Sequence, residues 1–166
     1  MEERFDLVDL DGNVVGSALR SEVHGNPDLI HRAVHVFVVN AAGELFLQKR
    51  SHTKDVQPGK WDTSVGGHVD AGESPGEAAI RETREELGIE AAEPVELYEL
   101  IWRSDIETEL IRSYKLLHEG PFVLHPDEIE EGRFWSLDDI EASMGQGVFT
   151  PNFEWEWRKS RPALGM

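Results

Sequence analysis

The stretch from Gly66 to Glu90, GGHVDAGESPGEAAIRETREELGIE, constrains the fold more than any other part of the chain. It reads as a glycine loop handing over to a helix whose start and stop are both written out. Ser74 is a good N-cap, Pro75 suits the first helical position, and Glu77 completes a capping box. Gly88 predicts the stop after Leu87. At about 100° per residue, Ala79, Ile80, Thr83 and Leu87 fall within one arc and predict the buried face. Glu82, Glu85 and Glu86 crowd a neighbouring ridge. Like charges at these i,i+3 and i,i+4 spacings cost about 0.2–0.5 kcal/mol per pair, and the helix dipole disfavours anions near this end. Arg81 is spaced for i,i+4 pairs with Glu77 and Glu85 but lies off the Glu82–Glu86 ridge. Two readings are open: a solvated acidic face, or carboxylates gathered for a hard cation such as Mg2+ or Mn2+. Gly66 and Gly67, which permit close approach, and Glu73, placed to fold back toward the ridge, favour the second.

The flanks are strand-rich. FDLVDLDGNVVGSALR predicts a hairpin turning at Asp11–Gly12, and Ser21 to Ile30 reads as loop. Ala33 to Val39 predicts a strand that is mostly apolar on both faces, hence central, and returns through an Asn40–Gly43 turn to Leu45–Gln48. Further strands are predicted at Val95–Trp102, Glu109–Leu117 and Phe134–Leu137, a short helix at Asp138–Ala142, and a last one from about Asn152. This order predicts an α+β fold around a mixed sheet, in a single domain over residues 1–166.

Composition narrows the function. Sixteen basic against 33 acidic residues give a net charge of −17, which argues against a nucleic acid duplex as partner. A small phosphorylated substrate stays open, because a bound cation reverses the local field. The absence of cysteine excludes thiolate catalysis and disulfides. No apolar run is long enough to predict a membrane span, and the acidic start MEERFDL is unlike a signal peptide, so a cytoplasmic location is expected.

From Gly67 to Ile89 the chain resembles the Nudix signature: Gly67, five residues, Glu73, seven residues, Arg81-Glu82, an apolar position, any residue, Glu85-Glu86, any residue, Gly88-Ile89. Thr83 is the one departure, standing where that family has a bulkier apolar residue. The resemblance implies an α/β/α sandwich and Mg2+-dependent attack of water on a diphosphate joined to some moiety X. It implies Glu82, Glu85 and Glu86 as metal ligands, with Gly67 and Glu73 in the same set. Arg81 is the residue implied to orient a signature glutamate, and Glu85, Glu82 or Glu109 are the implied catalytic carboxylates. A homodimer is common among similar proteins.

A narrower resemblance is to type I isopentenyl-diphosphate isomerase, with two histidines that have six residues between them, a Cys-Gly-His and a later Glu-x-Glu. The counterparts are His24 and His31, Gly66-Gly67-His68, and Glu107-Thr108-Glu109. Gly66 stands where the isomerase has its catalytic cysteine, which removes one arm of protonation–deprotonation chemistry. His24, His31 and Glu107 are therefore candidates for a second metal or base site, with satisfied structural histidines as the alternative. His35 reads as a strand residue facing a covered layer.

For substrate binding, Arg32, Lys49, Arg50 and Lys60 supply positive charge, Trp61 a possible floor and His68 a phosphate contact; Lys54 reads as a charge-balancing surface residue. Phe153, Trp155 and Trp157 suit either stacking on a base or closing the core. The leading expectation is a hydrolase of a small organic diphosphate. The alternatives are a prenyl-diphosphate isomerase and a non-catalytic ligand-binding module.

Overall fold

The computed structural model describes residues 2–54 and 56–166. Its elements run β1 (Arg4–Val8), β2 (Val14–Leu19), α1 (Arg20–Val23), β3 (Ile30–Val39), β4 (Leu45–Arg50), β5 (Trp61–Asp62), β6 (Val65–His68), α2 (Pro75–Leu87), β7 (Val95–Arg103), β8 (Thr108–Leu117), β9 (Ile129–Trp135), α3 (Leu137–Ser143) and α4 (Pro151–Ala163). The α+β class with a mixed sheet flanked by helices is as expected.

β3 is the spine. Along one edge it pairs in parallel with the whole of β8, from Ile30↔Thr108 to Val39↔Leu117. Its other edge is shared: β1 meets it at Leu7↔His31, β6 runs antiparallel from Ala33↔His68 to Val36↔Val65, and β4 joins at Val39↔Leu45. Val34, Val36 and Val38 pack with Ala78, Ala79 and Leu87 of α2. Phe37 and Val39 pack on the opposite face with Phe153 and Trp157 of α4 and Ile140 of α3. The two apolar faces of this strand thus become two cores, one on each side of the sheet.

Several boundaries differ from expectation for local reasons. The β3–β4 turn forms, but the two strands share only the Val39↔Leu45 pair before β4 diverges to β9 and β5. β9 starts at Ile129, five residues before the expected Phe134, because the polar run Glu130 to Arg133 follows β4 along an outer edge. Ser136 and Leu137 leave the strand: Ser136 caps α3 by accepting from the Asp139 amide. Arg20–Val23 turns helical where a loop is expected, with Glu22 accepting from the Leu19 amide. Phe153 and Trp157 are buried in the core, and Trp155 is exposed, edge-on to Trp102.

Candidate active site

The expected caps of α2 are present. Ser74 Oγ accepts from the Glu77 amide at 3.2 Å, Glu77 accepts from the Ser74 amide at 3.1 Å, and Gly88 ends the helix in the left-handed region. The expected buried face forms through Ala79, Thr83 and Leu87 but is shifted at its edges. Ala78, Ala79, Thr83 and Leu87 are buried, but so is Glu86, 9% exposed, while Ile80 is 37% exposed. The arc facing the sheet is centred nearer Glu86 because β6 meets the helix with glycine. A Cβ on Gly67 would overlap the Glu82 carboxyl group, so the bare backbone lets the carboxylate ridge turn inward and carries Ile80 past the edge. Thr83 tolerates its buried position by donating its hydroxyl to Ala79 O at 2.7 Å.

Arg81 ties the loop to the helix. Its Nε and Nη2 donate to Glu73 at 2.8 and 2.9 Å, its Nη1 to Glu82 at 2.8 Å and Glu85 at 3.3 Å, and Nη2 also to His68 O at 3.0 Å. The expected pair with Glu77 is replaced, because Glu77 is committed to the cap and Arg81 swings toward Glu73. Through Nη1 it also reaches the ridge from which its helical position seemed to exclude it. These contacts hold the Glu73 carboxyl below its usual range, with the Arg81 hydrogen bonds as the main cause.

Glu86 is different. Gln48 donates to its Oε1 at 2.7 Å, while its Oε2 is buried without a hydrogen-bond partner among the described residues. Burial, then the neighbouring Glu82 charge, pushes its carboxyl well above the usual range. Burial also raises Glu82, against the pull of its hydrogen bonds. Glu85 stands outward, its side chain 48% exposed. The segment after β8 secures the end of the helix: the Val123 amide donates to Leu87 O at 2.9 Å and the His125 amide to Glu86 O at 3.1 Å.

Across the cleft a second group assembles from four places in the chain. His24 follows α1, His31 is on β3, His68 ends β6, and Glu107 and Glu109 flank the first residue of β8. One donor atom from each of His24, His31, His68 and Glu107 lies within 4.8 Å of the others. Glu107 Oε2 is 3.1 Å from His24 Nε2 and 3.8 Å from His31 Nε2; Glu109 Oε2 is 3.4 Å from His31 Nε2 and 3.6 Å from His68 Nε2. Phe5 of β1 backs the group, stacked on His31 at 5.4 Å and tilted on His68 at 4.8 Å. Burial lowers His24, and lowers His68 to about 3. Burial, then the charge of Glu109, raises Glu107 to about 7.

Imidazoles beside carboxylates are the donor set of a divalent metal site. Both nitrogens of His31 and Nε2 of His24 are buried without a hydrogen-bond partner among the described residues, so the group fits a cation better than it satisfies itself.

Between the two groups runs a cleft of about 660 Å³, lined from one side by Glu82, Glu85 and Glu86 and from the other by His24, His68 and Glu107. Of the expected substrate residues, Arg50 and His68 line it. Arg32, Lys49, Lys60 and Trp61 do not. Arg32 turns away to donate to Gly12 O, Lys49 pairs with Glu130 at 3.4 Å, and Trp61 packs edge-on to Trp135 at 5.2 Å. Arg32 is on β3, Lys49 on β4 and Trp61 on β5, while Lys60 precedes β5 outside any strand. Lys54, expected to balance surface charge, lines the cleft beside Glu128 and His125. Sequence reasoning also missed Gln48, the partner of Glu86, and the pairing of His35 with Glu156. The missed signal was Glu156, an acid on the same face of α4 as Phe153, Trp157 and Ser160.

A mixed sheet between helices, a carboxylate-bearing helix seated on a glycine strand and a facing His/Glu group define the architecture of a metal-dependent pyrophosphohydrolase. Residues 29–153 match the family model described as the NUDIX domain, and the chain belongs to that family. It is 33% identical over 150 residues to an uncharacterized Nudix hydrolase of Yersinia pestis, covering 90% of this chain and 81% of that one. It is 31% identical over 163 residues to isopentenyl-diphosphate Delta-isomerase 1 of Photorhabdus laumondii, covering 93% of each. Among solved structures, DR0079 from Deinococcus radiodurans superposes with a TM-score of 0.81 at 28% identity, covering 95% of this chain and 98% of that one.

Proposed function

We propose that this protein is a Mg2+-dependent hydrolase of a small organic diphosphate, in which water attacks phosphorus. One observation carries the reading: Glu86, buried with an unpartnered Oε2, is packed against Glu82 at the wall of an open cleft. A buried carboxylate and a half-buried one in that relation are costly unless a cation joins them. Glu82, Glu85 and Glu86 would hold Mg2+, or Mn2+ in its place, with Gly67 and Glu73 completing the surround. Such an ion, when bound, polarises phosphoryl oxygens and acidifies water.

The residues themselves divide the remaining work. Arg81 holds Glu73 and Glu82 in place. Gln48 fixes one oxygen of Glu86 and leaves the other free. We assign the taking of a proton from water to Glu85, which lines the cleft, or to Glu109, beside His31. Arg50 and Lys54 supply positive charge at the mouth.

The assembled His/Glu group favours a second reading, isomerisation of a prenyl diphosphate, as does the likeness to the Photorhabdus isomerase. Against it stands Gly66, which has no side chain to carry a proton at the position where the isomerase has cysteine.

Incubating the protein with nucleoside, sugar, dinucleotide and prenyl diphosphates, with Mg2+ and with Mn2+, separates these readings. Hydrolysis products from at least one diphosphate are expected, with no conversion of isopentenyl diphosphate to its isomer. Isomer formation without hydrolysis would establish the second reading, and silence across the whole panel would leave the fold as a ligand-binding module.

A further inference from the structure

Beneath the cleft, between its two carboxylate groups, lies an ion pair that neither metal site uses. Glu156 of α4 is 1% exposed. Its Oε2 accepts from Tyr98 Oη at 2.7 Å and Ser113 Oγ at 2.6 Å, and its Oε1 lies 2.5 Å from His35 Nδ1. Donors from β3, β7 and β8 thus converge on one buried carboxylate, and His35 is the cationic side chain among them. A charge so deep needs a countercharge, and His35 supplies it by donating from Nδ1. Burial works to lower this imidazole, but the Glu156 charge and hydrogen bond, followed by the charges of Asp62 and Glu109, raise it to about 9.

An imidazolium donates from both nitrogens. Nε2 makes no hydrogen bond among the described residues, and the ring lines the cleft. Its Cδ2–Nε2 edge lies along Gly66: a Cβ there would sit 3.4 Å from Cδ2 and 3.8 Å from Nε2. The missing side chain at residue 66 therefore leaves this edge uncovered. The other cations lining the cleft have partners near its surface: Arg20 with Glu3, Arg50 with Asp62, Lys54 with Glu128 and Arg81 with Glu73 and Glu82. Among the described residues lining the cleft, His35 is the cation whose partner carboxylate lies behind it, so its free donor faces the substrate space.

We propose that His35 is a substrate-contacting residue, presenting Nε2–H to an oxygen of the diphosphate over Gly66, with Glu156, Tyr98 and Ser113 as positioning residues. The contact rests on the diphosphate reading above. It places the anhydride between the two carboxylate groups, with Glu82 and Glu86 on one side and Glu107 on the other.

Titrating the Mg2+-loaded protein with methylenediphosphonate, a non-hydrolysable diphosphate, tests it. Binding is followed by calorimetry and the His35 ring nitrogens by 15N NMR. The Nε2 resonance is expected to move with saturation while Nδ1 stays nearly fixed. The double variant H35Q/E156Q, which replaces the ion pair by two neutral amides able to bond to each other, is expected to bind the probe about tenfold more weakly. It should raise KM at least as much as it lowers kcat on whichever diphosphate the panel identifies. Binding of the probe with Nε2 unmoved, or a variant altered in stability but not in KM or kcat, overturns this contact and leaves the hydrolase reading standing. No binding by the unmodified protein, together with a silent panel, overturns both.

Discussion

The two walls of the cleft gather carboxylates by opposite means. The α2 wall comes from a single stretch of sequence, and its charges are partly settled within the protein, since Arg81 bonds to Glu73, Glu82 and Glu85. The opposite wall draws on α1, β3, β6 and β8, and no arginine or lysine pairs with Glu107 or Glu109 among the described residues; only histidines face them. Hard oxygen donors in a partly exposed ridge suit Mg2+ and leave room for substrate oxygens. Mixed imidazole and carboxylate donors on a buried aromatic backing suit a softer divalent ion, held more tightly. The difference teaches that the two walls of one cleft can offer unlike donor sets, oxygen alone on one and imidazole with carboxylate on the other, by choice of residue rather than of fold.

The largest test of that division is Glu86→Gln. Turnover of the identified diphosphate should fall by about 10²–10³-fold with Mg2+ present, while the fold is kept, because the amide removes a buried charge and retains a partner for Gln48. Steady-state rates and circular dichroism would decide it, and full activity in the variant would break the assignment of the ridge. Next in size is a pH effect from the pair lying between the walls. His35 is raised from 6.5 to about 9, so its stabilisation is fully present below about pH 6.5 and is lost as pH rises through about 9. The groups facing it are Glu156, Tyr98, Asp62 and Glu109. Denaturation curves between pH 6 and 10 should show a decline on the order of 3 kcal/mol that H35Q/E156Q lacks. The two walls are therefore best compared below pH 8.

Arg81→Ala comes third. It strips Glu73 and Glu82 of their partner and should destabilise the apo protein by about 2 kcal/mol, less than a fully buried pair because solvent reaches the site. Added Mg2+ should recover part of that loss in a thermal melt; an unchanged midpoint would show that the ridge needs no internal cation. The smallest expected effect is His31→Gln, about tenfold weaker binding of Mn2+ or Co2+ at one of two calorimetric sites, with the other unaltered. Equal weakening of both would mean the walls share a single ion.

What could be read beforehand follows the same division. The caps of α2 and the spacing of its glutamates are local, so Ser74, Glu77, Gly88 and the Glu82–Glu86 ridge were legible from neighbouring residues. The central place of β3 was legible too, because a strand apolar on both faces can only be covered on both. The direction in which the ridge faces was not. It depends on Gly67 coming from another strand, which turned Glu86 inward and Ile80 outward. Arg32, Lys49 and Trp61 do not line the cleft for a related reason: residue type suggested phosphate binding, but strand register decides which side of a sheet a side chain occupies. The Glu156 pair joins residues 121 positions apart, and no local pattern announces its partner.

The backbone bonds from Val123 and His125 to the end of α2 carry a consequence for how such a chain can diverge. The connection between β8 and β9 looks like a surface loop, the usual place for insertions. Yet its amides occupy carbonyls of Leu87 and Glu86, and a Cβ on Gly88 would crowd Val123 at 2.8 Å. A one-residue insertion between His118 and Val123 would put this docking out of step and loosen the last turn of the helix, where Glu85 and Glu86 stand. Drift is cheap in the β1–β2 turn, which touches neither wall. Here, change in a loop that looks free would be selected through the glutamates it holds from behind.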